Sequence, residues 1–260
     1  AFPDEIRNHI VSELDKKKDI LVKSGINTTV TAEPGLPGSQ IPKIAAERDC
    51  SLIVAGSHGH NLASEMLLGG TDAEIIHRAM KPVLIIRVKD NEQTNKAEYV
   101  EKGQNMIKHI LYAVDFSDCS ARAFDYVRRF VECGAAHVTL MHVQDKAKLG
   151  KHLIDRLDEF NEIDRNRLEI LKEQLGKAGD ARIDMEIPYG SPVNEIVKQA
   201  NTTDTSIVIM GNHGRGFVSE IFLGSVSHNV VRHSESPVLL IPWHSDGNDV
   251  TKEECKEQTV

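Results

Sequence analysis

Apolar runs alternate with amphipathic stretches over most of the chain, most clearly in its second half. Ile107 to Asp115 (IKHILYAVD) and Val138 to Val143 (VTLMHV) read as buried strands, and so do Arg182 to Ile187, Ser206 to Met210 (SIVIM) and Val238 to Ile241 (VLLI). Between them, Ala123, Tyr126, Val127 and Phe130 recur at helical spacing within Cys119 to Cys133. Leu153, Leu157, Phe160, Ile163, Leu168, Leu171 and Leu175 do the same across the charged stretch 149–178. Pro192 to Ala200 opens with a proline that suits a first helical turn, and Ser225 to His233 completes the helices. Strands alternating with helices, several of the strands apolar throughout, predict an α/β fold with a parallel sheet covered on both faces.

The pattern occurs twice. Residues 35–86 align with 190–241 without a gap, and 18 of the 52 positions are identical. The matches include Gly35/Gly190, Pro37/Pro192, Gly56/Gly211, His58/His213, Gly59/Gly214, Leu68/Leu223, Gly69/Gly224 and Pro82/Pro237. Such a long period excludes a solenoid and predicts a duplicated domain. The division is domain 1 at 1–90, a polar linker at 91–105, domain 2 at 106–244 and a polar tail at 245–260. Residue 1 corresponds to about residue 156, so about 49 positions of the repeat, holding its first strand, first helix and second strand, have no match in copy one. A half sheet with open edges is unstable, so either the chain continues before residue 1 or a partner supplies those strands.

Composition narrows the function classes. Of 260 residues, 31 are basic and 39 acidic, a net charge of −8 that offers no basic track for nucleic acid or an anionic membrane. Cys50, Cys119, Cys133 and Cys255 form no CxxC pair and read as reduced thiols. No apolar run approaches the roughly 18 to 20 residues that span a bilayer, so a cytoplasmic protein is expected.

The candidate chemistry lies after SIVIM. Gly211-Asn-His-Gly214 is followed, nine residues later, by Gly224-Ser225 at the start of a helix. Glycines at a strand's end bare backbone N–H groups, and a helix N-terminus favours an anion, so a phosphate-bearing small molecule fits. Two glycines and a serine also make a plain turn and cap. The recurrence of Gly-x-His-Gly, nine residues and Gly in copy one sets this spacing apart from a chance turn.

These residues, with ILYAVDFS (Ile110 to Ser117) before them and SPVLLIP (Ser236 to Pro242) after, resemble the universal stress protein family in tandem, ATP-binding form. The resemblance implies Rossmann-like, doubly wound parallel sheets of five strands in the order 3-2-1-4-5. It also implies pairing of the two domains through their last strands as an intramolecular pseudo-dimer, which can form a homodimer, and ATP or AMP across the sheet edge with Mg²⁺ or Mn²⁺ carried by the phosphates. Carried over by position, Ala113 and Val114 line the base pocket, Asp115 meets the ribose or lies near adenine, and the backbone of Val143 reads the adenine edge. Met210 and Gly211 flank the sugar and first phosphate. Gly214, Gly224, Ser225, Val226 and Ser227 hold the phosphates through N–H groups and two hydroxyls. Arg215 lends charge, and His213 reads as a turn residue bonded to backbone. The weak equivalents in copy one are Gly56, Gly59, Gly69, Gly70 and Thr71, followed by Asp72, whose charge opposes a phosphate.

The expectation is a nucleotide-binding stress-response or regulatory protein, because no GxxxxGK[ST], SGGxDS-type or HExxH motif is present. The enzyme alternative, a slow hydrolase or transferase, would use Asp115 or His213 as base. A flavoprotein and a ligand-free dimeriser are the other classes.

Overall fold

A computed structural model of the chain describes residues 4–56, 70–87, 106–149, 155–213 and 224–243. Copy one contributes α1 (Asp4–Lys23), α2 (Pro37–Glu47), β1 (Ile53–Gly56), α3 (Gly70–Arg78) and β2 (Val83–Ile86). Copy two contributes β3 (His109–Ala113), α4 (Asp118–Glu132), β4 (His137–Met141), β5 (Gln144–Asp145), α5 (Leu157–Gly176), β6 (Arg182–Glu186) and β7 (Tyr189–Gly190). It continues with α6 (Pro192–Thr202), β8 (Ile207–Gly211), α7 (Ser225–His233) and β9 (Val238–Ile241).

Seven strands form one sheet in the order β1-β2-β9-β8-β3-β4-β6. Within copy two this is third, second, first, fourth and fifth strand read from the β6 edge, the order expected, and every pair in it is parallel. β2 and β9 run antiparallel, with Val83 opposite Leu240 and Ile85 opposite Val238. The last strands of the two copies therefore join the half sheets. The two-residue strands β5 and β7 form a separate parallel ladder that the sequence pattern did not reveal.

Continuous apolar strands demand cover on both faces. On one face, Ile75 and Ile76 of α3, Ile196 and Ala200 of α6, and Val230 and Val231 of α7 pack against Val83, Ile85, Leu111, Val208 and Leu240. On the other, Ala123, Phe124, Val127 and Val131 of α4 with Leu168 and Leu175 of α5 cover Ile110, Tyr112, Leu140 and Ile209. The edge strand β6 carries Arg182, Asp184 and Glu186, charges that discourage further strand pairing.

Among the described residues, copy one lacks this second cover. Ile209 is fully buried beneath the α4 side, whereas Val54, its equivalent in β1, is 57% exposed. Leu175 of α5 is fully buried and its equivalent in α1, Ile20, is 65% exposed. The segment equivalent to β6, around residues 27–31, has no regular secondary structure and joins no strand among the described residues. Among the described residues of copy one nothing corresponds to β3, α4 and β4, the elements that perform those tasks in copy two. No helix among the described residues is long and apolar enough to cross a membrane.

Candidate functional site

The carboxyl ends of β3, β4 and β8 converge on the amino end of α7 around a cavity of about 390 Å³. This is the crevice in which open parallel sheets bind ligands. Its walls are Ala113, Val114 and Asp115 at the end of β3, Met141 to Asp145 at the end of β4, Met210, Gly211 and His213 at the end of β8, and Gly224 to Ser227. Lys148, Leu149, Pro192 and Ile196 complete it.

The β3 wall is held by a sequence of short-range bonds. Ser117 caps α4 by accepting the Ser120 N–H at 3.2 Å. The Ser117 N–H and hydroxyl both donate to Asp115 Oδ1, at 3.0 and 2.6 Å. Asp115 is thus a turn acid as well as a cavity residue, and the cap belongs to Ser117. Tyr112, buried below, donates its hydroxyl to the Ser120 carbonyl at 2.7 Å, and burial pushes its phenol far above its ordinary range. Between Asp115 and Ser117 the chain takes a left-handed step at Phe116, with φ 58°.

The β4 wall offers backbone. The N–H of Val114 bonds to the Met141 carbonyl at 2.9 Å, and the N–H of Gln144 to the Pro188 carbonyl at 2.9 Å. Val143, between them, lines the cavity and makes no backbone hydrogen bond among the described residues.

The β8 to α7 wall is tied by Asn212, which is buried. Its N–H bonds to the Ile241 carbonyl at 2.9 Å. Its own carbonyl accepts from the Gly224 N–H at 3.0 Å and from the Ser227 hydroxyl at 2.8 Å. Its side-chain oxygen takes the Cys119 thiol at 3.4 Å and His213 Nδ1 at 2.6 Å. One residue thereby fixes both ends of the loop 213–224. Helix α7 begins at Gly224 with no side-chain cap among the described residues, and its first-turn residues Ser225, Val226 and Ser227 line the cavity.

Both glycines have a packing reason. A Cβ on Gly211 would lie 2.8 Å from Cys119 Sγ and 3.1 Å from the Cys119 carbonyl carbon. A Cβ on Gly224 would lie 2.9 Å from the Asn212 carbonyl oxygen. The Cys119 thiol, inaccessible beneath Gly211, is pushed up by burial.

The comparisons with known proteins fit this geometry. The model of the Universal stress protein family matches residues 4–87 and 106–242. The chain belongs to the universal stress protein family. Universal stress protein MJ0577 of Methanocaldococcus jannaschii is 36% identical over 155 residues, 52% of this chain and 95% of that protein. YxiE of Bacillus subtilis is 31% identical over 149 residues, 52% of this chain and 99% of that one. A universal stress protein from Archaeoglobus fulgidus shares the fold, with a TM-score of 0.69 over 92% of this chain and 80% of that one at 23% identity.

In this universal stress protein the cavity gathers Ala113, Val114, Asp115, Val143, Met210, Gly211, His213, Gly224, Ser225, Val226 and Ser227. Gly214 and Arg215 lie outside the described residues, as do Gly59 and Gly69 of copy one. One expectation changes. The Ser227 hydroxyl donates to the carbonyls of Asn212 and Gly224, at 2.8 and 2.9 Å, so its proton closes the loop and is not directed at a ligand. His213 pairs through Nδ1 with the Asn212 side-chain oxygen at 2.6 Å. Asn212, Ser117 and Ser120 escaped the sequence reading. The spacing Ser117-x-x-Ser120 before an apolar run was a legible cap signal, whereas nothing in the sequence shows which carbonyl Asn212 offers. In copy one, Gly56 ends β1, and Gly70 and Thr71 open α3. Asp72, buried in that first turn, stands where copy two has Ser227, and desolvation holds its carboxyl above the usual range. Among the described residues no group of three or more His, Cys, Asp or Glu could hold a metal.

Proposed function

We propose that copy two binds one adenine nucleotide, ATP or AMP, and that the protein acts as a nucleotide-responsive stress or regulatory protein. The observation that carries this reading is the pairing, across one cavity, of an uncapped helix N-terminus at Gly224 to Ser227 with the open backbone of Val143. The N–H groups of the first suit a phosphate. The donor and acceptor of the second match the ring nitrogen and amino group of adenine. Asp115, with Oδ1 oriented by Ser117, meets a ribose between them. Lys148 adds a cation to the lining. A divalent ion, Mg²⁺ or Mn²⁺, would ride on the phosphates.

Copy one is proposed not to hold nucleotide, since the buried Asp72 carboxylate sits at the helix N-terminus that would take the phosphate. The antiparallel pairing of β2 with β9 supports the further reading that one chain is an intramolecular pseudo-dimer.

Calorimetric titration with ATP, ADP and AMP tests the proposal. Saturable binding of an adenine nucleotide at one per chain is expected, and failure of all three to bind overturns it. Multiple-turnover assays with ATP accompany the titration. Product formed faster than about once per minute would favour a dedicated enzyme over a binding protein, against typical enzyme rates of about 10 s⁻¹.

A further inference from the structure

Behind the β4 wall lies a polar cluster of which His142 and Gln144 line the cavity while Asp164 and Arg167 stand behind them. Asp164, on α5, is 9% exposed. Its Oδ2 accepts from Gln144 Nε2 at 2.7 Å and faces His142 Nε2 at 3.4 Å, and its Oδ1 accepts from Arg167 Nη1 at 3.3 Å. The other nitrogen of the His142 ring, Nδ1, bonds to the Val114 carbonyl at 2.7 Å. The His142 ring packs on Phe116 with centroids 4.7 Å apart, and the Arg167 guanidinium lies over the opposite partner of that ring, 4.8 Å from the Phe116 centroid. His142 and Gln144 flank Val143, while Val114 and Phe116 flank Asp115. One carboxylate on a distant helix therefore reaches both cavity walls through two side chains.

The donor arithmetic at His142 is restrictive. A carbonyl only accepts, so Nδ1 must carry a proton to bond to Val114. An ionised Asp164 also only accepts, so Nε2 faces it favourably only when it too is protonated. Both contacts are favourable at once with His142 as imidazolium between a carbonyl and a carboxylate. Among the described residues, the charged groups on the surrounding elements include Asp164 and Arg167 of α5, Asp115 after β3, Asp145 of β5 and Glu186 of β6, whose carbonyl accepts the His142 N–H at 3.0 Å.

We infer that Asp164 is a positioning residue for the nucleotide site, holding a protonated His142 and Gln144 so that Val143 and Asp115 keep their spacing, and that it makes nucleotide affinity depend on pH. The inference rests on the nucleotide reading of the cavity. Affinity is highest while the imidazolium persists and falls as pH rises and Nε2 loses its proton.

The test is the dissociation constant for ATP between about pH 5 and 8, the window in which histidine charge changes, in the wild type and in Asp164→Asn. Both proteins meet the same nucleotide, so titration of its phosphates cancels from the comparison. The asparagine amide can donate to a neutral Nε2 and keeps the volume of the site, and a thermal melt confirms that the variant is folded. The expected result is affinity roughly tenfold lower in the variant at pH 6, the lower end of what supporting residues contribute, with a flattened pH profile. A second readout needs no ligand: ¹H–¹⁵N spectra of the His142 ring show both nitrogens protonated at pH 6 in the wild type and one in Asp164→Asn. Equal affinities and equal profiles overturn the positioning role alone, and so does a wild-type ring with one proton. A wild type that binds no nucleotide at any pH overturns the nucleotide reading, and the role with it.

Discussion

Gly211 and Gly224 bound the loop after β8, and in both the absent Cβ matters twice. Each leaves backbone open to the cavity, and each lets two chain segments approach more closely than a side chain permits. At Gly211 the opposing atoms are the Cys119 sulfur and carbonyl carbon, at 2.8 and 3.1 Å from the site of a Cβ. Gly211→Ala is therefore expected to lower stability by about 1–3 kcal/mol through overpacking. Denaturant midpoints measure this, with Gly70→Ala as the control, since a Cβ at Gly70 meets nothing within 4 Å among the described residues. The glycine spacing was visible in the sequence because it recurs in both copies. Its packing partner was not, since Cys119 is far away in the chain and reaches Gly211 only when α4 packs behind β8. The same reason hid Asn212, whose importance lies in a carbonyl that any residue type possesses.

Among the elements, strands and helices were legible wherever an apolar period ran without interruption, and α7 and β9 keep the bounds their patterns suggest. The strand pattern overran at Val138 to Val143, because β4 ends at Met141 and the following residues turn into the cavity wall and β5. An apolar residue such as Val143 looks alike in sequence whether it serves a strand or a binding wall. At the amino ends of the strands, opposite the cavity, the β3–β4 pair carries a titratable contact that no motif announced. His109 Nε2 pairs with Thr139 Oγ1 at 2.9 Å, its ring stacks on His137 at 3.9 Å, and His137 Nε2 reaches Asp184 at 2.9 Å. Burial, and then the charge of His137, holds His109 below the ordinary histidine range. The unfolded chain takes up that proton first as pH falls, so the stability is present above about pH 6.5 and is lost below it. Melting temperatures measured from pH 8 to 5 are expected to fall, and less steeply in His109→Gln. An unchanged slope in the variant would assign the pH dependence to other groups.

At the scale of the molecule, the seam between copies is part of the core. Leu84 opposes Leu239 across the antiparallel pair, and both lie in the cluster on the α4 side, while Val83, Ile85, Val238 and Leu240 lie in the cluster on the α7 side. Apolar packing continuous through the seam predicts one cooperative unfolding transition. Leu239→Asp, which buries an unpaired charge between the copies, is expected to split it, copy one melting first because its Val54 and Ile20 lack the cover their equivalents have. A single transition in the variant, merely shifted, would show that the seam is not what couples the copies. The duplication was plain in the sequence. The joining of the half sheets was implied there by family resemblance, since apolar strands alone do not say which edges meet. The central claim concerns what the cavity of copy two is for, and a crystal structure of the chain grown with ATP tests it most directly. The account predicts one nucleotide per chain, its phosphates on the N–H groups of Gly224 to Ser227 and its base on the backbone of Val143. A cavity empty at saturating ATP, or a nucleotide held instead against Asp72 in copy one, would contradict it.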